Sequence, residues 1–156
     1  MKMGRFLLML TISFVVTTSL GVNPDKSANA QEFLGELSAN PYNPQSLANP
    51  YGAGSQFNPK SPNNPFSAYG SPFSPKSATN PYTNDAPRLY DQDGRYRGKL
   101  SANPYDPDST SNPFGRYGSP FSPDSINNPY GAASPFAPNS PNNRFAPKGW
   151  SVIGDK

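Results

Sequence analysis

The chain has 156 residues, no cysteine, no histidine, 21 prolines, 13 glycines and a formal net charge of +3. This composition excludes disulfide stapling, the usual zinc and iron ligand sets, and the residue most used as a general base near neutral pH. Residues 1–30 carry +2 of the charge and the other 126 positions only +1, so no electrostatic footprint for nucleic acid is present.

At the N-terminus, Lys2 and Arg5 precede the apolar run Phe6 to Val16, and a polar stretch leads to Ala28-Asn29-Ala30. A positive start, an apolar core and a small-x-small site are the order of a secretory signal peptide, here an N-terminal signal helix over residues 1–30 with cleavage after Ala30. Ser19-Leu20-Gly21 is a weaker alternative cut. The apolar run is short for a hydrocarbon layer about 30 Å thick. No second apolar stretch, lipobox cysteine or Leu-Pro-x-Thr-Gly anchor follows. The expected product is exported through the Sec route and is periplasmic, envelope-associated or extracellular, with no membrane span after cleavage.

The remainder is built on one decapeptide, aromatic-x-Pro-x-Ser-x-x-Asn-Pro-aromatic, present six times: Tyr42–Tyr51, Phe57–Phe66, Phe73–Tyr82, Tyr105–Phe114, Phe121–Tyr130 and Phe136–Phe145. Only the last departs, with Arg144 in place of the second proline. The starts lie 15, 16, 32, 16 and 15 residues apart, and Phe33–Tyr42 matches Tyr96–Tyr105 at an offset of 63. The chain thus divides into a first long repeat (31–95) and a second (96–150), each with three decapeptides, and a C-terminal tail (151–156).

Each proline fixes its own φ and pushes the residue before it out of the helical region, so a decapeptide reads as extended or polyproline II segments joined by turns. Ser125-Ile-Asn-Asn128 has the form of a single turn capped by its serine. Between Arg88 and Leu100 the chemistry changes, and an Asp93-Gly94 turn signal flanked by Leu89-Tyr90 and Arg95-Tyr96 predicts a small β-hairpin near 88–100.

Beyond residue 30 there are eight aliphatic side chains of the Leu, Ile and Val type and 18 aromatics. Burial of the aromatics falls far short of the entropy lost on ordering the chain. The expected fold class is therefore a mostly disordered, irregular repeat chain. The alternative is a solenoid-like repeat, which is disfavoured because the two prolines per unit remove ladder donors, inward-facing aliphatics are missing and the uneven 15- and 16-residue step would flip a strand's facing.

No residue stands out as catalytic, and no cofactor or metal is implied. Asp91, Asp93, Asp106 and Asp108 read as turn formers, because position 95, where a calcium loop wants an oxygen ligand, is arginine. Asn64-Pro-Phe66 and Asn112-Pro-Phe114 have the form of an endocytic recognition tripeptide, a by-product of the repeat in an exported chain. The candidate contact residues are the aromatics that bound each decapeptide: Tyr42, Tyr51, Phe57, Phe66, Phe73, Tyr82, Tyr105, Phe114, Phe121, Tyr130, Phe136 and Phe145. Spaced along a solvated chain they can stack on one another, on sugar rings or in a partner groove, with affinity gained by multivalency.

The run Leu100 to Gly131 resembles the tandem Asn-Pro-Tyr-Gly and Ser-Pro-Tyr-Ser-Pro-Asp-Ser repeats of small, uncharacterised exported bacterial proteins, with phenylalanine here at several tyrosine positions. That resemblance implies a bacterial, exported protein and no particular activity. Together these features lead to the expectation of a non-enzymatic, flexible multivalent spacer or adhesive element of the envelope. Its partner would be an envelope protein or polysaccharide, with weak self-association through the same rings. The alternative is a cell-wall polysaccharide module using the repeated aromatics.

Overall fold

A computed structural model describes residues 30–156. Apart from Ala30, the expected signal segment lies outside these residues. The expected disorder is overturned. Among the described residues the chain is compact, without a helix, and its strands form one antiparallel sheet of four.

The reason lies in how the decapeptide satisfies its backbone. Number its positions 1 to 10. In all six units the N–H of position 5 donates to the carbonyl of position 2, closing a turn that advances the chain by three residues: Ser46 to Asn43, Ser61 to Asn58, Ser77 to Ser74, Ser109 to Asp106, Ser125 to Ser122 and Ser140 to Ala137. The same bond recurs at the next three-residue step in most units, as from Asn64 to Ser61 and from Asn128 to Ser125. The chain is a succession of β-turns that share corners. Because Gly35, Gly94 and Gly98 alone among the described residues have positive φ, these turns are not of the type that needs a left-handed residue.

Within Asn58-Pro59-Lys60-Ser61 every backbone group that could donate is accounted for. Pro59 has no N–H, Lys60 N–H donates to Asn58 Oδ1 at 3.0 Å, and Ser61 N–H donates to Asn58 O at 3.1 Å. Pro at the second corner position and Asn or Ser at the first are what such a turn demands. Where position 6 is not proline its N–H ties to a neighbouring segment, as from Ala78 to Tyr69 O and from Ile126 to Tyr117 O.

Two further side chains complete the unit. The serine at position 5 is fully buried in all six copies, and its Oγ accepts the N–H of position 7 at 3.0–3.1 Å. The asparagine at position 8 reaches back six residues, its Nδ2 donating to the carbonyl of position 2 at 2.9–3.1 Å in every copy. Neighbouring units are bridged by position 7. Asn63 Nδ2 donates to Leu47 O and Gly54 O, Asn127 to Thr110 O and Gly118 O, and Asn142 to Ile126 O and Ala133 O.

The uneven step is absorbed by the turns themselves. A 15-residue step is five β-turns that each advance the chain by three residues; a 16-residue step replaces one of them by a wider turn that advances it by four, closed by Ser71 N–H to Ser67 O in the first half and by Ser119 N–H to Gly115 O in the second.

The sheet clamps the two sets of turns together. Its strands are β1 (Gln31–Leu37), β2 (Arg88–Tyr90), β3 (Tyr96–Lys99) and β4 (Trp150–Asp155), in the order β1-β4-β2-β3. The pairing near 88–100 is thus one side of a larger sheet rather than an isolated hairpin. Residues 151–156, read from sequence as a tail, supply most of a central strand.

An internal two-fold relation with an offset of 63 runs through it. Leu89 pairs with Val152 at the centre, Phe33 with Ile153 as Tyr96 with Tyr90, and Glu36 with Ser46 as Lys99 with Ser109. The first strand of each half therefore pairs with the last strand of the other. Gly35 and Gly98 are equivalent under this relation, with φ of 137° and 90°. A Cβ at Gly98 would lie 2.6 Å from Asp108 O and from Tyr117 Cβ, and one at Gly35 2.9 Å from Gln45 O. Leu34, Leu47, Tyr69, Leu89 and Val152 form a small apolar cluster against the sheet.

If the asparagine at position 8 holds the unit closed, Asn64→Asp keeps the acceptor for Phe66 N–H but sets a carboxylate against Asn58 O in place of a donor. We expect a loss of about 1–3 kcal/mol at pH 7, partly recovered below pH about 4 as the carboxyl regains a proton. Urea denaturation at both pH values measures it, and unchanged stability at pH 7 would refute the assignment.

Candidate functional site: an array of outward aromatics

The twelve aromatics at positions 1 and 10 each stand two residues after a Ser or Asn, eleven of them within turns and Tyr105 within a bend. Each of their backbone N–H groups donates to the Ser or Asn side chain two residues earlier, at 2.9–3.4 Å. The backbone of every one of these residues is thereby fixed, while its ring is left to solvent. Exposure of the twelve runs from 83% at Phe57 to 97% at Tyr51. None of them contributes to the core, which removes the simplest structural reason for their presence.

Between rings lie open clefts. One of about 590 Å³ is lined by Tyr51 and Phe57 together with Pro50, Gly54, Ser55 and Gln56. Tyr42 and Phe145, from the first and last units, flank another of about 390 Å³ with Asn40, Pro41 and Arg144. A third cleft, which the sequence did not suggest, lies where the halves meet and is lined by Leu37, Leu100, Ile126 and Asn127 among others.

The two wider turns do the opposite with their aromatics. Tyr69 is 5% exposed and packs over Gly154; Tyr117, 8% exposed, packs over Gly98. The extra residue in Ser67–Ser71 and Gly115–Ser119 is what distinguishes these turns from the others. Tyr69 Oη bonds Asp155 O at 3.0 Å and the Glu32 carboxylate at 3.1 Å. Burial, with the Glu32 charge beside it, pushes the Tyr69 phenol up to about 12. Tyr96, hydrogen-bonded to Asp108 and edge-on to Tyr117, is raised as well, chiefly by burial.

The aspartates singled out in the sequence are held in ion pairs and hydrogen bonds. Asp91 and Asp124 flank the Arg97 guanidinium, each at 2.8 Å, and Arg97 also lies over the Trp150 ring at 5.5 Å. Burial raises the Asp91 carboxyl, but the Arg95 N–H and the Arg97 guanidinium outweigh it and the net shift is downward. Asp106 pairs with Lys99 at 2.8 Å, Asp108 accepts from Tyr96 Oη at 3.2 Å, and Asp93 faces Arg95 at 3.7 Å on the surface. Glu32 is held below the ordinary carboxylate range, first by its bond to Lys60 at 2.6 Å.

A scan against protein-family models finds no match, and neither the search of curated proteins nor that of solved structures finds a similar protein. The site is accordingly read from its own chemistry.

A phenol whose folded pKa lies above its unfolded value stabilises the fold at pH below the unfolded value, and that contribution is lost as pH rises through the folded one. For Tyr69 the window runs from 10.0 to about 12. Denaturation midpoints should fall across this range in the wild type and fall less in Tyr69→Phe, where only Tyr96 still contributes; equal slopes would contradict the buried phenol.

Proposed function

We propose that the protein is an exported, non-enzymatic binding module of the cell envelope that holds polysaccharide through its twelve outward aromatics. The observation that carries this reading is their exposure: every one of the twelve is at least 83% exposed on a backbone that fixes its place. A soluble protein gains nothing in stability from so many solvated rings, and exposed apolar surface of this kind marks interaction sites. Tyrosine and phenylalanine faces stack on the apolar faces of sugar rings, and polar groups beside them, here Gln56 and Ser55, offer partners for hydroxyls.

Repetition adds avidity. One ring on one sugar is a weak contact, but several rings fixed on one ordered scaffold engage a long chain as effectively intramolecular contacts, without paying again for ordering the protein. The flexible-spacer form of the reading is dropped, because the units are ordered. The N-terminal Lys2–Ala30 pattern supports export, and a polymer in the envelope is the partner such a location offers.

The test is retention of the mature chain on insoluble peptidoglycan and other envelope polysaccharides. Changing Tyr42, Tyr51, Tyr82, Tyr105 and Tyr130 together to alanine should reduce retention at least tenfold. Because these side chains touch almost nothing, each change should cost no more than about 0.5 kcal/mol of stability. No retention of the wild type on any of these polymers would reject the reading.

A further inference from the structure

We infer that the cleft between Tyr42 and Phe145 is a subsite for a carboxylate-bearing sugar ring and that Arg144 selects it. This rests on the polysaccharide reading and adds a substrate class to it. Position 9 of the decapeptide is proline in five units, Pro50, Pro65, Pro81, Pro113 and Pro129, and arginine only in the sixth. The fold carries that single departure to the place where the first and last units meet. Ala39 N–H donates to Pro141 O at 2.6 Å and Asn40 Nδ2 to Ala146 O at 3.4 Å, which sets Pro41-Tyr42 beside Arg144-Phe145.

The cleft there, about 390 Å³, is lined by Asn40, Pro41, Tyr42, Arg144 and Phe145. Its two rings are 89% and 94% exposed. Arg88, Arg95, Arg97 and Arg116 each hold an aspartate, whereas among the described residues no carboxylate pairs with Arg144. Nor does the Arg144 N–H take part in any hydrogen bond among these residues, so the turn closed by Ala146 N–H and Asn143 O does not depend on it. Proline would serve this turn as it serves the other five.

A guanidinium fork matches a carboxylate in two parallel hydrogen bonds, and flanking aromatic faces take the apolar face of a pyranose. A ring bearing a carboxylate satisfies both at once; a neutral ring satisfies only the aromatics. The molecule contains its own comparison. Under the offset of 63, the equivalent junction is tied by Ala102 N–H to Ala78 O and Asn103 Nδ2 to Thr83 O, joining the unit of Tyr105 to that of Tyr82, and Pro81 stands there where Arg144 stands here.

The experiment compares binding of tetragalacturonic acid, its fully methyl-esterified form and N-acetylmuramic acid to the mature chain and to Arg144→Pro, by ligand-observed NMR. The acid tetramer should bind the wild type about fivefold tighter than the ester, with the difference shrinking as salt rises from 50 to 500 mM. Arg144→Pro should abolish that preference, keep the affinity for the ester and keep the melting temperature; Arg144→Lys should retain part of it. N-acetylmuramic acid binding in the same Arg144-dependent way would support a wall-derived source of the carboxylate, and binding of the galacturonate alone a uronic-acid polymer. Equal binding of acid and ester, or a preference that survives Arg144→Pro, would overturn the subsite while leaving the polysaccharide reading standing. No binding of either the acid tetramer or N-acetylmuramic acid would likewise overturn the subsite, whereas the polysaccharide reading falls only with loss of retention on the insoluble polymers.

Discussion

At the shared corners that carry Asn, Ser or Asp, two successive backbone N–H groups end on one residue, the first on its side-chain oxygen and the second on its carbonyl, as Lys60 and Ser61 do on Asn58. The rest of the molecule depends on this arrangement. It lets a chain rich in proline satisfy its backbone without a ladder or a helix, because the one position that lacks an N–H is the one that needs none. The prolines at these corners fix φ in the unfolded chain as well, so part of the conformational entropy is already absent before folding.

Order of this kind places small polar side chains inside and large apolar ones outside, the reverse of an ordinary core. The serine at position 5 is small enough to sit where turns from neighbouring units converge and polar enough to cap the N–H that would otherwise be orphaned there. The larger apolar residues that are buried, Leu34, Leu89, Val152 and Trp150, gather at the sheet. That sheet joins each half to the other by its terminal strands, so the column of turns is closed at both halves by long-range pairing as well as by local bonds. The aromatics at the corners, freed from packing, are available for a ligand.

Much of this was legible in the sequence. The decapeptide and its boundaries, the Asp93-Gly94 turn and the capped turn at Ser125 are matters of local residue choice, and the aromatics stood out as a set. What was missed is the three-residue phase inside the decapeptide, in which Asn43, Ser46, Asn49, Gly52, Ser55 and Asn58 are successive corners. Weighing only apolar burial against chain entropy led to disorder, since that comparison gives no credit to side-chain caps or to the donors of Asn64 and Asn63. The change between 15 and 16 residues looked like a loss of register because a strand would reverse its faces; a turn simply lengthens by one residue. The pairing of Trp150–Asp155 with Gln31–Leu37 was not legible, as nothing local marks contacts over more than a hundred residues. Arg144 was visible as a departure from the repeat, but its place beside Tyr42 follows only from the fold.

The central claim is that the units are ordered turns packed into one body, and small-angle X-ray scattering of residues 31–156 in solution tests it most directly. Ordered packing gives a radius of gyration near the compact value for this length, about 14 Å; a value near about 36 Å, that of an unfolded chain, would contradict it.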